Sequence, residues 1–261
     1  MRVRIQKGTA SGGIQAPPSK SMAHRLLLAA ALCEGVSTIH GISDCEDVSA
    51  TVDCVRALGV QVDRSGDTAT VCGRDYRDFL TDAPLPCRES GSTLRFLIPT
   101  AMLTGKEVLF TGADSLFSRP LSVYERLATE RGLHFQKDKN RLSVAGPLPC
   151  GEYAVAGNIS SQFISGLLFA LPLLPKDSRI RITTAVESRS YIDMTLRALD
   201  AFGVRVLRTD EHGFCIPGGQ KYHPGEVFVE GDYSNAVFPD SLNLFGSHVR
   251  IHGLSRDTVQ G

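Results

Sequence analysis

Apolar positions in this chain fall into two alternating rhythms, long runs of helical type and short alternations of β type. The first long run follows Pro17-Pro18-Ser19 and carries Leu26, Leu27 and Leu28. Prolines do not sit inside a helix and a serine caps one, so the spacing predicts a helix over 19–34. Matching entries stand at Ser90-Gly91-Ser92-Thr93-Leu94-Arg95 and at Ser160-Ser161-Gln162-Phe163, each roughly seventy residues after the last. Between them lie β-patterned STIHG, KEVLFTG and SRIRITT, then second helices, the first over 44–58 with Val48, Val52 and Val55 on one side. These second helices end at Gly59, Gly132 and Gly203. Each gives way to a strand pair: VQVDR with TATVCG, LHFQKD with RLSVAG, and VRVLRTD with GFCIPG. Every unit therefore reads helix, strand, helix, strand, strand.

Three such units predict an α/β (α+β) fold of three repeats packed about a pseudo-threefold axis, spanning 17–223, with the equivalent helix starts converging on one region. The flanks follow another pattern. RVRIQ over 2–6 alternates like an edge strand, and a Gly-rich connection leads from Ser11 to the prolines. From about Gly225, a strand in EVFVEG, a capped helix start at Asp232-Tyr233-Ser234-Asn235 and a strand in SHVRIHGL begin a further unit. One helix and a few strands cannot enclose a core, so 1–16 and 224–261 are expected to form an incomplete part of a second domain, with apolar surface exposed.

Composition narrows the chemistry. The chain has 261 residues, 42% of them hydrophobic, enough for a sizeable core. Twenty-eight basic residues balance twenty-eight acidic ones, so bulk attraction to nucleic acid or membrane is not expected and any anion site must be local. No apolar run reaches membrane-span length, and MRVRIQKG lacks the apolar stretch of a signal peptide; the expectation is a soluble, cytoplasmic protein. Seven cysteines without a C-x-x-C pair argue against a disulfide framework or a zinc site. His248 and His252 share a strand face without forming a compact ligand pair, so neither metal nor cofactor is expected.

The helix starts hold the candidate chemistry. Free amides at a positive dipole end, beside Lys20, Ser21 and Arg25, suit a phosphate or carboxylate. Ser21 and Arg25, four apart, share a face. An ordinary capped helix with solvated basic residues is the competing reading. Arg119 stands beside Pro120 at another helix entrance, where the proline suits the first turn. Measured back from the repeat glycines, Asp47, Arg119 and Tyr191 occupy nearly one position, so equivalent places hold different chemistry, as an asymmetric ligand requires.

PPSKSMAHR, ESGSTLRF, SLFSRP, GNISSQFISGLL, ESRSYIDMTLRALDAFGV, VEGDYSNAVF and GLSRDTVQG, in this order, resemble the enolpyruvyl transferase family over essentially the whole chain. PPSKS and SSQF are more similar to the branch acting on shikimate 3-phosphate than to the one acting on UDP-N-acetylglucosamine. A distant repeat-sharing family, the RNA 3′-terminal phosphate cyclases, fits poorly with neutral charge. The resemblance implies transfer of the enolpyruvyl group from phosphoenolpyruvate to the 5-hydroxyl of shikimate 3-phosphate, with release of phosphate, on the way to chorismate and aromatic amino acids.

By motif, Lys20 would contact both substrates and be a catalytic group. Ser21 and Arg25 would hold the carboxylate and hydroxyl side of the shikimate ring, and Ser160, Ser161, Ser188 and Tyr191 its phosphate. Gln162 would serve both substrates, and Gly91 and Arg119 would meet phosphoenolpyruvate. The chain departs from common family forms at Glu89-Ser90-Gly91-Ser92, at Phe96, and at His24, where asparagine is frequent. Family members are longer and monomeric, with two domains closing over the substrates, so this chain alone is expected to lack measurable turnover. A noncatalytic unit retaining shikimate 3-phosphate affinity is the alternative.

Overall fold

The computed structural model describes residues 8–210 and 212–260, so the strand expected over 2–6 lies outside the described residues. Strand β1 (Ser11–Gln15) comes first. Helix α1 (Lys20–Ala31) starts one residue after Ser19, whose hydroxyl accepts the Met22 amide at 3.4 Å. Strand β2 (Gly35–His40), α2 (Glu46–Ala57), β3 (Gln61–Ser65) and β4 (Thr68–Gly73) follow. Next come β5 (Leu85–Pro86), α3 (Gly91–Leu103), β6 (Glu107–Thr111), a single turn α4 (Asp114–Phe117), α5 (Ser122–Arg131), β7 (His134–Lys137) and β8 (Arg141–Ala145). Then β9 (Glu152–Val155), α6 (Ser161–Ala170), β10 (Ser178–Ile182), α7 (Arg189–Ala201), β11 (Leu207–Asp210) and β12 (Gly213–Ile216) repeat the order. Strand β13 (Glu226–Phe228), α8 (Tyr233–Ser241) and β14 (His248–His252) end the described elements.

Three four-stranded sheets share one connectivity: β13-β2-β4-β3, β5-β6-β8-β7 and β9-β10-β12-β11. In each the first two strands are parallel and the remaining neighbours antiparallel. The sheet beside α1 takes its outermost strand from β13, because the strand that precedes α1, β1, pairs with β14 instead. This corrects the expectation that EVFVEG opens a further unit: it pairs with β2, Val227 opposite Ile39. The Gly-rich segment after Ser11 is likewise not a mere connection. It is β1, parallel to β14 in a two-stranded sheet, and its glycines hide the alternation by which a strand is recognised. Pro120 precedes α5 by two residues rather than lying in its first turn, in the short link between α4 and α5, whose N-cap is Leu121.

Burial separates the helices into two sets. Every residue of α1 from Met22 to Ala31 is buried, and α6 is buried apart from Gln162, so apolar residues all round place these helices centrally, with α3 beside them. The outer helices α2, α5 and α7 bury one side only. Each outer helix sends a hydroxyl between two inner ones. Thr51 of α2 lies 2.7 Å from both His24 of α1 and Thr93 of α3. Tyr124 of α5 donates to the carbonyls of Arg95 at 2.9 Å and Phe163 at 3.0 Å, joining α3 to α6. Thr195 of α7 accepts from Arg25 of α1 and donates to Ser165 of α6, both at 2.8 Å. These buried polar links fix how the inner helix starts face one another.

The segment after β13 contrasts with this core. Only Ala236 of α8 is buried, while Val237, Phe238, Leu244 and Phe245 are exposed, as expected of an element with little to pack against.

Candidate active site

Arg25 anchors the first half of the site. Its side chain is 2% exposed. Nε donates to Thr195 Oγ1 at 2.8 Å, Nη1 to the Ser21 carbonyl at 2.6 Å and Nη2 to the Tyr191 carbonyl at 2.8 Å. All these acceptors are neutral. Burial pulls the guanidinium down to about 9, with only the neighbouring Tyr191 opposing. It remains a cation at neutral pH, desolvated and without an opposing carboxylate, which is an attraction held in readiness for an anion. Ser21 and Tyr191 line a small recess beside it together with Ser190, Asp232 and Ser234.

Around Gly91 a second cluster gathers. A Cβ added to Gly91 would stand 3.0 Å from Arg119 Nη1, 3.3 Å from Arg95 Nη1 and 3.9 Å from Gln162 Oε1, so all three side chains close on this backbone. Arg95 Nη1 donates to Gln162 Oε1 at 2.6 Å, and Gln162 Nε2 donates to Ser92 Oγ at 2.8 Å, which joins the starts of α3 and α6. Burial and the adjacent Arg119 charge lower the Arg95 guanidinium from its ordinary value. Two like charges beside a glycine backbone and a free helix start favour a phosphate or carboxylate.

Lys20 lies between these clusters. Its ammonium contacts Asp47 Oδ2 at 2.7 Å, and that hydrogen bond raises it above its ordinary value despite partial burial. The Asp47 carbonyl in turn lies 3.4 Å from Thr93 Oγ1 of α3.

The structure thus brings Ser21, Arg25 and Tyr191 together, and separately Gly91, Arg119 and Gln162. Ser160 caps α6 by accepting the Gln162 amide at 3.3 Å, and Ser161 is buried behind it. Ser188 meets the first group through its backbone, its carbonyl accepting the Tyr191 amide at 3.1 Å. It is exposed, at φ +59°, a left-handed conformation that serine rarely adopts, and its loop meets the one before α6 through the Glu187 amide on the Gly157 carbonyl at 3.2 Å. Sequence reasoning missed Arg95. The spacing offered the signal, because Arg95 follows Gly91 by one helical turn, as Arg25 follows Ser21.

A cleft of about 310 Å³ elsewhere, behind the C-terminal ends of α1 and α6, holds no comparable chemistry. Its charges are internally balanced by Lys221–Glu34 at 3.3 Å and Arg77–Asp75.

Residues 5–261 match the family model described as EPSP synthase (3-phosphoshikimate 1-carboxyvinyltransferase). The chain is similar to 3-phosphoshikimate 1-carboxyvinyltransferase from Clostridium perfringens, 40% identical over 262 residues covering 100% of this chain and 62% of the relative. The Clostridium kluyveri protein of the same name is 39% identical over 261 residues, covering 99% of this chain and 61% of its own length. The chain therefore spans somewhat under two thirds of these curated relatives. In fold it is similar to the solved EPSP synthase of Acinetobacter baumannii, with a TM-score of 0.80 at 23% identity over 95% of this chain and 57% of that one.

Proposed function

The chain belongs to the EPSP synthase family, and from that premise we propose that it takes part in enolpyruvyl transfer from phosphoenolpyruvate to the 5-hydroxyl of shikimate 3-phosphate. Ser21, Arg25 and Tyr191, with Ser160, Ser161, Gln162 and Ser188, hold shikimate 3-phosphate. Gly91, Arg95, Arg119 and Gln162 hold phosphoenolpyruvate, and Lys20 reaches both. One observation supports this most: the buried Arg25 cation has only neutral oxygens around it, so an anionic ligand supplies the missing counter-charge.

In the reaction, the 5-hydroxyl gives up its proton as its oxygen bonds to C2 of phosphoenolpyruvate, and the electrons of the C2=C3 π bond take a proton at C3, giving a tetrahedral intermediate. Phosphate then leaves C2 as a proton leaves C3, restoring the double bond. Asp47 keeps Lys20 protonated, so Lys20 acts as a cation and donor toward developing negative charge rather than as a base. Arg95 and Arg119 stabilise the departing phosphate. A second reading, binding without turnover by this chain, is favoured by the exposure of Lys20, Arg119 and Ser188, since open access to water weakens such electrostatic stabilisation.

Titration calorimetry with both substrates, beside an assay of phosphate release, tests these readings. Lys20→Ala is expected to weaken both ligands. Gly91→Ala, whose methyl comes nearest to the movable ends of the Arg119 and Arg95 side chains, is expected to fold normally. It should weaken phosphoenolpyruvate by about tenfold, roughly 1.4 kcal/mol, and change shikimate 3-phosphate by less than about twofold. Absence of heat from either ligand at millimolar concentration counts against the proposal, and phosphate release at an ordinary enzymatic rate excludes binding without turnover.

A further inference from the structure

His24 is 1% exposed between α1 and α2 and is absent from the binding roles above. Its Nδ1 lies 2.7 Å from Thr51 Oγ1, which lies 2.7 Å from Thr93 Oγ1, which donates to Ser90 Oγ at 2.7 Å. Ser90 caps α3, accepting the Thr93 amide at 3.3 Å immediately before Gly91. All four side chains are buried, so the chain crosses from α1 through α2 to α3 out of reach of bulk water.

Each hydroxyl has one proton, so the whole run takes one direction. The Asp47 carbonyl offers Thr51 and Thr93 alternative acceptors only at 3.5 and 3.4 Å, longer than the links of the run. Flow toward Ser90 starts from Nδ1–H and leaves Nε2 a bare lone pair. Flow away from Ser90 makes Nδ1 the acceptor and puts the proton on Nε2, a buried atom with no hydrogen-bond partner. The Thr93–Ser90 contact has Thr93 Oγ1 as its donor, so the first direction holds, and it spares Nε2 an orphaned buried N–H. Burial, with Arg25 and Lys20 adding to it against Asp47, lowers the ring to about 3, so it stays uncharged near neutral pH and one tautomer persists.

We propose that His24 is a positioning residue whose Nδ1–H tautomer directs a one-way hydrogen-bond chain through Thr51 and Thr93 to the cap of α3, tying the phosphoenolpyruvate seat at Gly91 to the shikimate-side helix α1. The assignment of these two seats rests on the function proposed above. An asparagine in this place would also offer a side-chain N–H, and so preserve the direction of the run.

Two measurements on the whole chain test this. Nitrogen-15 NMR of the imidazole reads the tautomer: Nδ1–H is expected, and Nε2–H overturns the proposal whatever the chain binds. Calorimetry with phosphoenolpyruvate, in the presence of saturating shikimate 3-phosphate, reads the coupling. His24→Leu and Thr51→Val should weaken phosphoenolpyruvate by about tenfold and shikimate 3-phosphate by less than about twofold, with His24→Asn near wild type. Equal weakening of both ligands, or an asparagine variant as impaired as the leucine one, contradicts it. A chain that binds neither substrate would sink the functional proposal but not this one. The tie is then read from the Gly91, Ser92 and Thr93 amide shifts, which should move in His24→Leu and Thr51→Val but not in His24→Asn; amides that stay put in all three overturn it.

Discussion

Arg25→Met is expected to lower shikimate 3-phosphate affinity by about 100-fold or more, close to 3 kcal/mol, while leaving the fold nearly as stable as before. The two effects separate because of what surrounds the guanidinium. Its hydroxyl and carbonyl acceptors have other partners: Thr195 Oγ1 donates to Ser165 and to the Tyr191 carbonyl, and Ser21 lies in the backbone ladder of α1. Losing the donors therefore leaves few groups orphaned, and removing an uncompensated buried cation relieves its desolvation cost. The Met side chain fills the stem's volume against Phe96, over whose ring the guanidinium carbon now lies at 4.9 Å. A bound anion has no such substitute. Calorimetric titration together with thermal unfolding checks this: a variant that loses stability in proportion to affinity would show that Arg25 is a structural tie and little else.

The second large effect is on stability. Gly166→Ala is expected to destabilise the protein by about 3 kcal/mol, at the upper end of ordinary overpacking, lowering Tm by roughly 6–12 °C for a chain of this size. Its Cβ would overlap the Tyr124 hydroxyl and stand 2.5 Å from the Arg95 carbonyl, between α3 and α6. Tyr124 cannot step aside, because it is buried and bonded to both helices. A methyl at Gly132 serves as the control: it has open space around it, and only the left-handed φ of +65° opposes it, a cost of about 1 kcal/mol. Equal melting points for the two variants would mean that the central helices do not pack as tightly as described.

Much of this architecture was legible because local signals agree. Serine caps, terminal glycines and the change from helical to alternating pattern lie at nearly one spacing in each unit, and they locate the starts of α1, α3 and α6 to within a residue. What escaped depends on distant chain segments. Strand β13 belongs to the sheet of β2, far away in sequence, and no local pattern records that pairing. Strand β1 was masked by Gly12 and Gly13. The hydroxyl bridges at Thr51, Tyr124 and Thr195 occupy matching places but differ in residue type, so no motif announces them. In the site, the helix starts themselves pointed to Lys20, Ser21 and Arg25. Arg95 was passed over because a lone arginine inside an apolar helix reads as a snorkelling surface residue until its neighbours are known.

The central claim is that the buried, uncompensated Arg25 cation, beside the starts of α1 and α7, awaits an anionic ligand. A crystal structure of the chain soaked with shikimate 3-phosphate tests it most directly. The account predicts ligand oxygens within about 3.2 Å of the Arg25 guanidinium and Ser21, at the starts of α1 and α7. Ligand density confined to the ion-paired cleft near Glu34 and Lys221, with Arg25 untouched, would contradict it.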